Sequence, residues 1–236
     1  MWYYRALHRH VGRSLAAGLP AAGAQVLDAG CGTGGLLRWL HAAQPAWTLT
    51  GLDFSPLACE LARTRTAGEV VQGSIAALPF GDAQFDAIVS CDVVCQVAEP
   101  AQAVREFHRV LRPGGFVVLT MPAYPWMHSY HDKAVGNLRR YTRREVNTLL
   151  QGAGFTITRS TYWNMLLFPL AVLRRKILPP AAPASDVHLF PAPVEAGCHA
   201  LMAVEHAWLG AGGRLPCGNS VLTVAQKSQQ SGPHTP

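Results

Sequence analysis

Residues 27–35, LDAGCGTGG, combine four glycines with one carboxylate, that of Asp28. Glycine loses more conformational freedom on folding than any other residue, so it is useful where the main chain needs a positive φ or must approach a ligand closely. A carboxylate at the mouth of such a loop repels a diphosphate and attracts a cation or an amine. The segment therefore predicts a ligand cradle that favours a positively charged molecule.

A second carboxylate, that of Asp53, follows 25 residues after Asp28, at the end of the next apolar segment. An acidic residue there can accept hydrogen bonds from both hydroxyls of a ribose. Residues 30–35 also fit the G-x-G-x-x-G pattern, so a nicotinamide dinucleotide is the alternative ligand. Tyr130 and Lys133 are one residue too close for the Tyr-x-x-x-Lys pair of short-chain reductases, which favours a nucleoside without pyrophosphate.

Patterns typical of strands and helices alternate along the chain and must position these side chains. The predicted strands are 25–29, 47–53, 69–72, 85–91, 116–121, 155–163 and 220–226. The predicted helices are 2–18, 34–43, 56–65, 101–111, 143–151, 164–177 and 194–210. This alternation requires crossover connections and indicates an α/β fold with a mostly parallel, doubly wound sheet. Ligands bind such sheets beyond the carboxyl ends of the strands, where Asp28 and Asp53 are expected.

The chain divides into segments at its changes in composition. The predicted segments are an N-terminal lid or packing helix (1–24), a ligand-binding core (25–163), a Pro/Ala-rich helical insertion (164–215), a final core strand (216–227) and a polar tail expected to be disordered (228–236). Within the insertion, an apolar stretch is followed by Arg174, Arg175 and Lys176. This pattern allows three interpretations: a substrate lid or pocket, an ordinary core helix, or a contact with a membrane surface or a second subunit.

Composition limits the classes of partner. Apolar residues make up 49% of the chain and charged residues 14%, so a large core is expected. The net charge of +6 comes from short basic clusters without interleaved aromatics, which favours an anionic substrate or membrane face over nucleic acid. The six cysteines show neither CxxC nor zinc spacing, so reduced thiols and no metal are expected. The first ten residues lack the apolar region of a signal peptide, and the predicted location is cytoplasmic.

Five blocks in series resemble the class I S-adenosylmethionine-dependent methyltransferases. They are LDAGCGTGG, GLDFSPLACELAR, VQGSIAALPF, FDAIVSCDVV and VLRPGGFVVLTMPAY, over roughly residues 25–125. Later blocks are similar to a bacterial small-molecule or lipid-type subfamily: PAYPWMHSYHD, RRYTRREV, YWNMLLFP and PCGNSVLTVAQK. The resemblance implies S-adenosylmethionine as cofactor. It also implies a Rossmann-like sheet of seven strands with an antiparallel last strand, helices on both faces, and a helical insertion before the last strand.

The same resemblance implies the cofactor-binding residues. These are Asp28 for the ammonium, Gly30, Gly32 and Gly34 beside the methionine part, Asp53 for the ribose, Phe54, Ser74 and Ile75 around the adenine, and Cys91 through its carbonyl. Two positions depart from the family pattern. Ser74 replaces an aspartate and should bond the adenine amine more weakly. Cys95-Gln96 replaces a Glu-His pair, which removes an imidazole from the mouth of the site.

The predicted long loop 122–141 contains the candidates for acid–base chemistry. His131 is the preferred general base, Asp132 can orient it, and His128 is a second candidate, because an imidazole titrates near neutral pH. The sequence predicts that His131→Ala lowers turnover at least ~100-fold with cofactor affinity nearly intact. In the alternative interpretation, His131 and Asp132 hold the loop against Arg139 or Arg140 and take no part in proton transfer.

The expected acceptor contacts come from both ends of the fold. They are Tyr3, Tyr4, Trp126, Arg139, Arg140, Tyr141 and Trp163. The predicted function is methyl transfer to a small apolar or aromatic acceptor, at a hydroxyl or carboxyl oxygen, by a monomer or homodimer. Methylation at nitrogen or carbon, and a regulatory protein that binds the cofactor without turnover, are the alternatives.

Overall fold

The computed structural model describes residues 1–178, 186 and 189–229 of the 236-residue chain. These residues form one seven-stranded sheet with helices packed against it. The strands are β1 Gln25–Ala29, β2 Thr48–Asp53, β3 Glu69–Gln72, β4 Phe85–Cys91, β5 Leu111–Pro122, β6 Phe155–Trp163 and β7 Ser220–Lys227. Their order is β3-β2-β1-β4-β5-β7-β6. β7 runs antiparallel to both β5 and β6, and the other pairs are parallel. The predicted sheet, including its antiparallel last strand, is confirmed.

Helices cover both faces of this sheet, as a doubly wound fold requires. They are α1 Trp2–Gly18, α2 Gly35–Ala43, α3 Pro56–Arg63, α4 Pro100–Val110, α5 Tyr130–Val135, α6 Arg143–Gly152, α7 Phe168–Val172 and α8 Ala192–Gly210. α1 packs against α8, the helix of the insertion. All six cysteines are free, and four of them are buried. Most of the predicted tail, residues 230–236, lies outside the described residues.

The segment 122–141 contains more regular structure than the predicted loop. It holds a 3₁₀ turn, Pro125–Met127, and the short helix α5. A capping box starts α5: the Ser129 N–H donates to Asp132 Oδ2 at 2.9 Å, and the Asp132 side chain stands at the third helical position. A helix of six residues is too short to show apolar periodicity, so sequence patterns miss it.

The insertion begins with a turn instead of the helix predicted from residue 164. Asn164 has a positive φ of 59°, and the helical part starts at Phe168 and continues into a π-helical turn, Leu173–Ile177. Glu205 of α8 holds this turn in place. Its carboxylate is 2% exposed and accepts the main-chain N–H groups of residues 164, 165 and 166. A single buried acid in α8 therefore fixes where the insertion leaves the sheet.

Thr142 forms the capping box of α6, the helix that follows the RRYT segment. The Thr142 hydroxyl accepts from the Glu145 N–H at 3.3 Å, and the Glu145 carboxylate accepts from the Thr142 N–H at 2.7 Å. Losing such a cap costs about 1 kcal/mol. We expect Thr142→Ala to lower the free energy of unfolding by about 1 kcal/mol in urea titrations. Ser228→Ala, at an exposed serine after β7, should change it by less than about 0.5 kcal/mol. Equal effects of the two variants would contradict the capping role.

Candidate active site

A cavity of about 740 Å³ opens at the carboxyl ends of β1, β2 and β4. The strand order reverses between β1 and β4, and ligands bind at such a switch point in doubly wound sheets. Helices α1, α5, α7 and α8 contribute the opposite wall. One end of the cavity is formed by the glycine loop, and the other by the insertion and β7.

The glycine loop between β1 and α2 is shaped by positive φ angles. Gly30 has a φ of 97°, and a Cβ there would collide with the side chain of Val93. Gly32 has a φ of 53°, and a Cβ there would enter open space. The N–H groups of Gly30 and Cys31 donate to the Leu52 carbonyl, at 2.7 and 2.9 Å, and tie the loop to β2. The loop is thus held rigidly, with its bare main chain beside the cavity.

Asp53, at the end of β2, lies beside this loop. Its carboxylate accepts the Gly32 N–H at 2.8 Å through Oδ2 and the Ser55 N–H at 2.9 Å through Oδ1. Each oxygen keeps a further lone pair, and the residue lines the cavity. Asp53 is therefore oriented to accept two hydrogen bonds from a vicinal diol.

Asp28, at the end of β1, is 2% exposed and also lines the cavity. Its Oδ2 atom has no hydrogen-bond partner among the described residues. Burial, and then repulsion from Asp53, raise the pKa of the Asp28 carboxyl to about 7. A buried carboxylate without a partner is costly, so this site requires a donor or a cation from the ligand. The loop, the diol acceptor and the unpartnered acid together fit an amino-acid-bearing nucleoside such as S-adenosylmethionine.

Asp92, immediately after β4, is the main polar group on the other side of the cavity. It takes a positive φ of 58°, which is uncommon for a non-glycine residue. Its Oδ2 accepts from the Tyr3 hydroxyl at 2.8 Å and its Oδ1 from the Thr120 hydroxyl at 3.3 Å. It forms no ion pair within the described residues, and burial raises its pKa above the usual value. The sequence analysis missed Asp92.

His131 lies in the wall of the cavity with its side chain 13% exposed. Its Nδ1 accepts the main-chain N–H of Asp186 at 3.0 Å. In the neutral ring the proton then occupies Nε2, which makes His131 a hydrogen-bond donor. Burial, and then the nearby Arg175, lower the pKa of His131 to about 4. This geometry does not favour the predicted role of general base.

A cluster of polar side chains from the insertion surrounds His131. Asp186 Oδ1 accepts from Arg174 Nε at 3.0 Å, and Asp186 Oδ2 accepts from Arg175 Nε at 2.8 Å. Because two arginines share one aspartate, these three side chains carry a net charge of +1 at this end of the cavity. Apolar side chains of the insertion complete the wall: Leu167, Leu170, Ala171, Val194 and Cys198.

Comparisons with known proteins agree with this geometry. Residues 27–119 match the family described as "Methyltransferase domain". Residues 27–119 carry a methyltransferase domain of the class I S-adenosylmethionine-dependent type. S-adenosylmethionine is the cofactor of this domain. The alternative ligand, a nicotinamide dinucleotide, is therefore rejected.

Two curated relatives share part of the methyltransferase domain. The chain is 40% identical over 116 residues to malonyl-[acyl-carrier protein] O-methyltransferase of Enterobacter lignolyticus, which covers 48% of this chain and 45% of that protein. It is 36% identical over 134 residues to the ubiquinone/menaquinone biosynthesis C-methyltransferase of Desulfotalea psychrophila, with coverage of 52% and 54%. The chain thus spans about half the length of these curated relatives.

The fold is also found in solved structures. An S-adenosylmethionine-dependent methyltransferase from Mesorhizobium loti superimposes with a TM-score of 0.61 at 20% identity. The likeness covers 91% of this chain and 96% of that protein. It shows that the fold of the methyltransferase domain extends over nearly the whole chain.

The structure brings most of the predicted cofactor residues to the cavity. Asp28, Gly30, Gly32, Asp53 and Cys91 line it. The other four are not among its lining residues, and their cofactor contacts stay predictions: Gly34, Phe54, Ser74 and Ile75. Gly34 starts α2 in a left-handed conformation, and Phe54 is 79% exposed. The Ser74 hydroxyl accepts the Ala76 N–H at 3.2 Å.

The structure does not give Asp132 the contact with His131 that the sequence suggested. Its side chain is fully buried and accepts from Arg140 Nε at 2.8 Å and from Asn137 Nδ2 at 3.1 Å. Burial alone would raise the pKa of Asp132, but Arg140 and these hydrogen bonds lower it below the usual value. Asp132 forms no hydrogen bond with His131 in the described part of the chain. It holds the segment after β5 against Arg140, as the alternative interpretation proposed.

Several expected acceptor contacts also lie elsewhere. Arg140 borders the cavity, but Asp132 and the Ala123 carbonyl engage its guanidinium. Arg139 donates to the Ala98 carbonyl at 3.2 Å, outside the cavity. His128, the second candidate for the general base, also lies outside the cavity, with Nε2 3.2 Å from the Asn137 carbonyl oxygen.

The aromatic residues predicted to contact the acceptor lie at the surface, in the core and at the cavity. Trp126 is 54% exposed, and Tyr141 is buried away from the cavity. Trp163 is fully buried and stacks on the Tyr3 ring at a centroid distance of 5.1 Å. Trp163 therefore packs behind Tyr3 and does not line the cavity. Tyr3 and Tyr4 do line the cavity, as expected for α1.

The insertion has one face at the cavity and another in solvent. Its exposed apolar side chains include Leu170, Ile177, Leu178 and Trp208. No helix in the described ranges is long and apolar enough to cross a bilayer. The cavity-lining residues favour the lid or pocket interpretation, while contact with a membrane surface or a second subunit stays a prediction.

The raised pKa of Asp28 predicts pH-dependent cofactor binding. Only the ionised carboxylate attracts the ligand's ammonium group, and with a pKa of about 7 the ionised fraction falls as the pH drops. We expect the affinity for S-adenosylhomocysteine to fall about tenfold between pH 8 and pH 6 in calorimetric titrations. Asp28→Asn should bind more weakly and with little pH dependence. An equal pH dependence in both proteins would contradict this assignment.

Proposed function

We propose that this protein is a methyltransferase that moves the methyl group of S-adenosylmethionine to a small apolar or aromatic acceptor, most readily at oxygen. The observation that carries the proposal is the active-site cavity of about 740 Å³. It joins the cofactor cradle of Asp28 and Asp53 to a pocket formed by the insertion. Such a volume can hold a cofactor and a small acceptor together, which is what direct transfer requires.

The acceptor pocket has an apolar side and a polar end. Leu167, Leu170 and Val194 supply the apolar side. Arg175, whose side chain is 7% exposed, and the donor Nε2–H of His131 lie at the polar end. This arrangement suits a molecule with an apolar or aromatic body and a polar or anionic substituent.

Asp92 is the group best placed to receive the acceptor's proton. S-adenosylmethionine supplies an electrophilic methyl group, so the protein's task is to orient a nucleophile, exclude water and, for a hydroxyl acceptor, remove its proton. Asp92 lies at the cavity wall between Cys91 and Val93, and Tyr3 and Thr120 fix its two oxygens. Its raised pKa brings the carboxylate closer to the basicity needed for this step.

Helix α1 contributes to exclusion of water. Trp2, Tyr3 and Tyr4 line the cavity from α1. The main-chain N–H of Trp2 donates to Glu195 Oε2 of α8 at 2.7 Å. Tyr3 joins α1 to Asp92 through its hydroxyl. The lid and the proton acceptor are thus connected by one hydrogen bond.

Methylation at oxygen is proposed over carbon or nitrogen from the charges at the site. The two curated relatives are named as an O- and a C-methyltransferase. Transfer to a hydroxyl oxygen or to carbon releases a proton from the acceptor, whereas a carboxylate is already ionised near neutral pH. The excess positive charge at Arg174 and Arg175 disfavours an amine acceptor. A hydroxyl or carboxyl acceptor is therefore the simplest match to this pocket.

The proposal is tested by following S-adenosylhomocysteine formation with a panel of phenols, aromatic acids, amines and active-methylene compounds. We expect turnover with at least one hydroxylated or carboxylated aromatic compound, and product analysis that shows an O-methyl group. Turnover only with amines or carbon acids would overturn the choice of oxygen. Tight cofactor binding without turnover on any acceptor would instead support a regulatory protein that binds the cofactor.

A further inference from the structure

A second cavity, of about 490 Å³, shares none of its lining residues with the active-site cavity. It lies between α1, the carboxyl end of α8 and strands β5, β6 and β7. We call it the α1–α8 groove and define it by His10, Arg13, Ala17, Phe116, Arg159 and Leu222. Its volume falls within the range of small-molecule sites, about 300–1,000 Å³.

The floor of the α1–α8 groove is apolar. Phe116, Leu209 and Leu222 line it and are only 3–7% exposed. Val224 extends the same surface along β7. A hydrocarbon chain or ring placed on this floor would leave water at little cost in polar contacts.

Two arginines form the polar side of the groove. Arg13 Nη2 donates to the Gly210 carbonyl at 2.5 Å, and Arg159 Nη2 donates to the Leu209 and Gly213 carbonyls at 2.6 and 2.9 Å. These bonds hold both guanidinium groups at the negative end of the α8 dipole, which offsets only part of their charge. Each arginine keeps further N–H donors.

The positive charge of this rim has no acidic counterpart in the groove. Neither Arg13 nor Arg159 forms an ion pair with a carboxylate in the described ranges 1–178, 186 and 189–229. Burial, and then repulsion from Arg13 and Arg214, lower the pKa of Arg159. Three guanidinium groups therefore share one region without a neutralising acid, and an anion would relieve their repulsion.

His10 provides an independent observation. It lines the groove and is 4% exposed, and its Nε2 atom has no hydrogen-bond partner among the described residues. Its other ring nitrogen, Nδ1, lies 3.4 Å from Nδ1 of His206. A buried polar atom without a partner is costly unless a ligand or a water satisfies it.

We propose that the α1–α8 groove binds an amphipathic anion, with a carboxylate or phosphate monoester head and a medium-length apolar chain. The head pairs with Arg13 and Arg159, since guanidinium groups match both kinds of anion with paired hydrogen bonds. The chain lies on Phe116, Leu209 and Leu222. This site is separate from the active site and does not depend on the proposed methyl transfer.

The test uses two neighbouring alanines of α1. Ala17 lines the groove and Ala16 does not, and both are exposed. Calorimetry with decanoate and with decyl phosphate, with S-adenosylhomocysteine saturating the other cavity, gives the affinities. We expect A17F, whose ring fills the groove, to bind both probes at least about tenfold more weakly than wild type, and A16F to stay within about twofold. Unchanged S-adenosylhomocysteine affinity confirms that both variants are folded.

A second pair of variants tests the charge. Arg13→Gln keeps a donor for the Gly210 carbonyl but removes the charge, and should weaken decanoate binding at least about fivefold. Arg105→Gln removes one charge from α4, outside the groove, and should have no effect. Decanol and decyltrimethylammonium should bind wild type far more weakly than decanoate. The proposal is overturned if wild type binds neither anion, if A17F equals A16F, or if decanol binds as tightly as decanoate.

Discussion

Asp92→Asn is expected to lower the rate of methyl transfer to a hydroxyl acceptor about 100- to 1,000-fold while S-adenosylhomocysteine affinity stays within about twofold of wild type. Asparagine keeps the size of the side chain but cannot accept a proton. The Tyr3 and Thr120 hydroxyls, at 2.8 and 3.3 Å, can still donate to its carbonyl oxygen, but only one oxygen remains. Single-turnover rates and calorimetric affinities, measured on the same preparation, separate the chemical step from cofactor binding.

Tyr3→Phe tests the role of Asp92 through the pH dependence of the rate. The Tyr3 hydroxyl stabilises the ionised form of Asp92, so its removal raises the Asp92 pKa further. Because the reaction needs ionised Asp92, the rate rises with pH through that pKa, and the rising limb should shift to higher pH in Tyr3→Phe. An aspartate with a purely structural role would not move the pH profile in this way.

His131→Ala distinguishes the two candidate bases. The sequence predicts a loss of at least ~100-fold for this variant. The structure gives His131 a donor Nε2 and lowers its pKa to about 4, so we now expect a loss of about tenfold, from weaker orientation of the acceptor. A larger loss in His131→Ala than in Asp92→Asn would restore His131 as the base and exclude Asp92.

The cofactor half of the site is predictable because it is local. Asp28 and Asp53 end buried strands, and the glycine loop follows β1 directly, so short stretches of sequence specify each part. The carboxyl ends of parallel strands must meet at one edge of a sheet, and this places the two acids together without further information.

The acceptor half depends on contacts between distant parts of the chain. The proposed role of Asp92 depends on Tyr3, which lies 89 residues away in sequence and donates to it at the cavity. Glu205 positions the start of the insertion from 41 residues further along the chain. No local pattern distinguishes such acids from ordinary surface residues.

Adjacent residues can also mislead. His131 and Asp132 look like a base and its orienting acid, but consecutive residues on a helix point about 100° apart. The capping box turns Asp132 into the protein, where Arg140 neutralises it, and leaves His131 at the cavity. Burial, which sequence does not reveal for a polar residue, decides between the two roles.

Asp53→Ala is expected to weaken S-adenosylhomocysteine binding at least about 100-fold. Two charge-assisted hydrogen bonds to a ribose diol would be lost, and each is worth about 1.5–3 kcal/mol. Asp82→Ala, at an exposed acid paired with Arg109, removes the same charge outside the site and should leave the affinity within about twofold.

The loss in Asp53→Ala must be separated from a disturbed glycine loop, because Asp53 also accepts the Gly32 N–H at 2.8 Å. Competition with adenosine and 2′-deoxyadenosine makes this distinction. Wild type should prefer adenosine by about tenfold, the loss expected for one charged hydrogen bond. The variant should bind both nucleosides alike, because no carboxylate remains to read the 2′-hydroxyl. If Asp53→Ala lowered both affinities but kept the preference, Asp53 would only support the loop, and the hydroxyls would be held by another group.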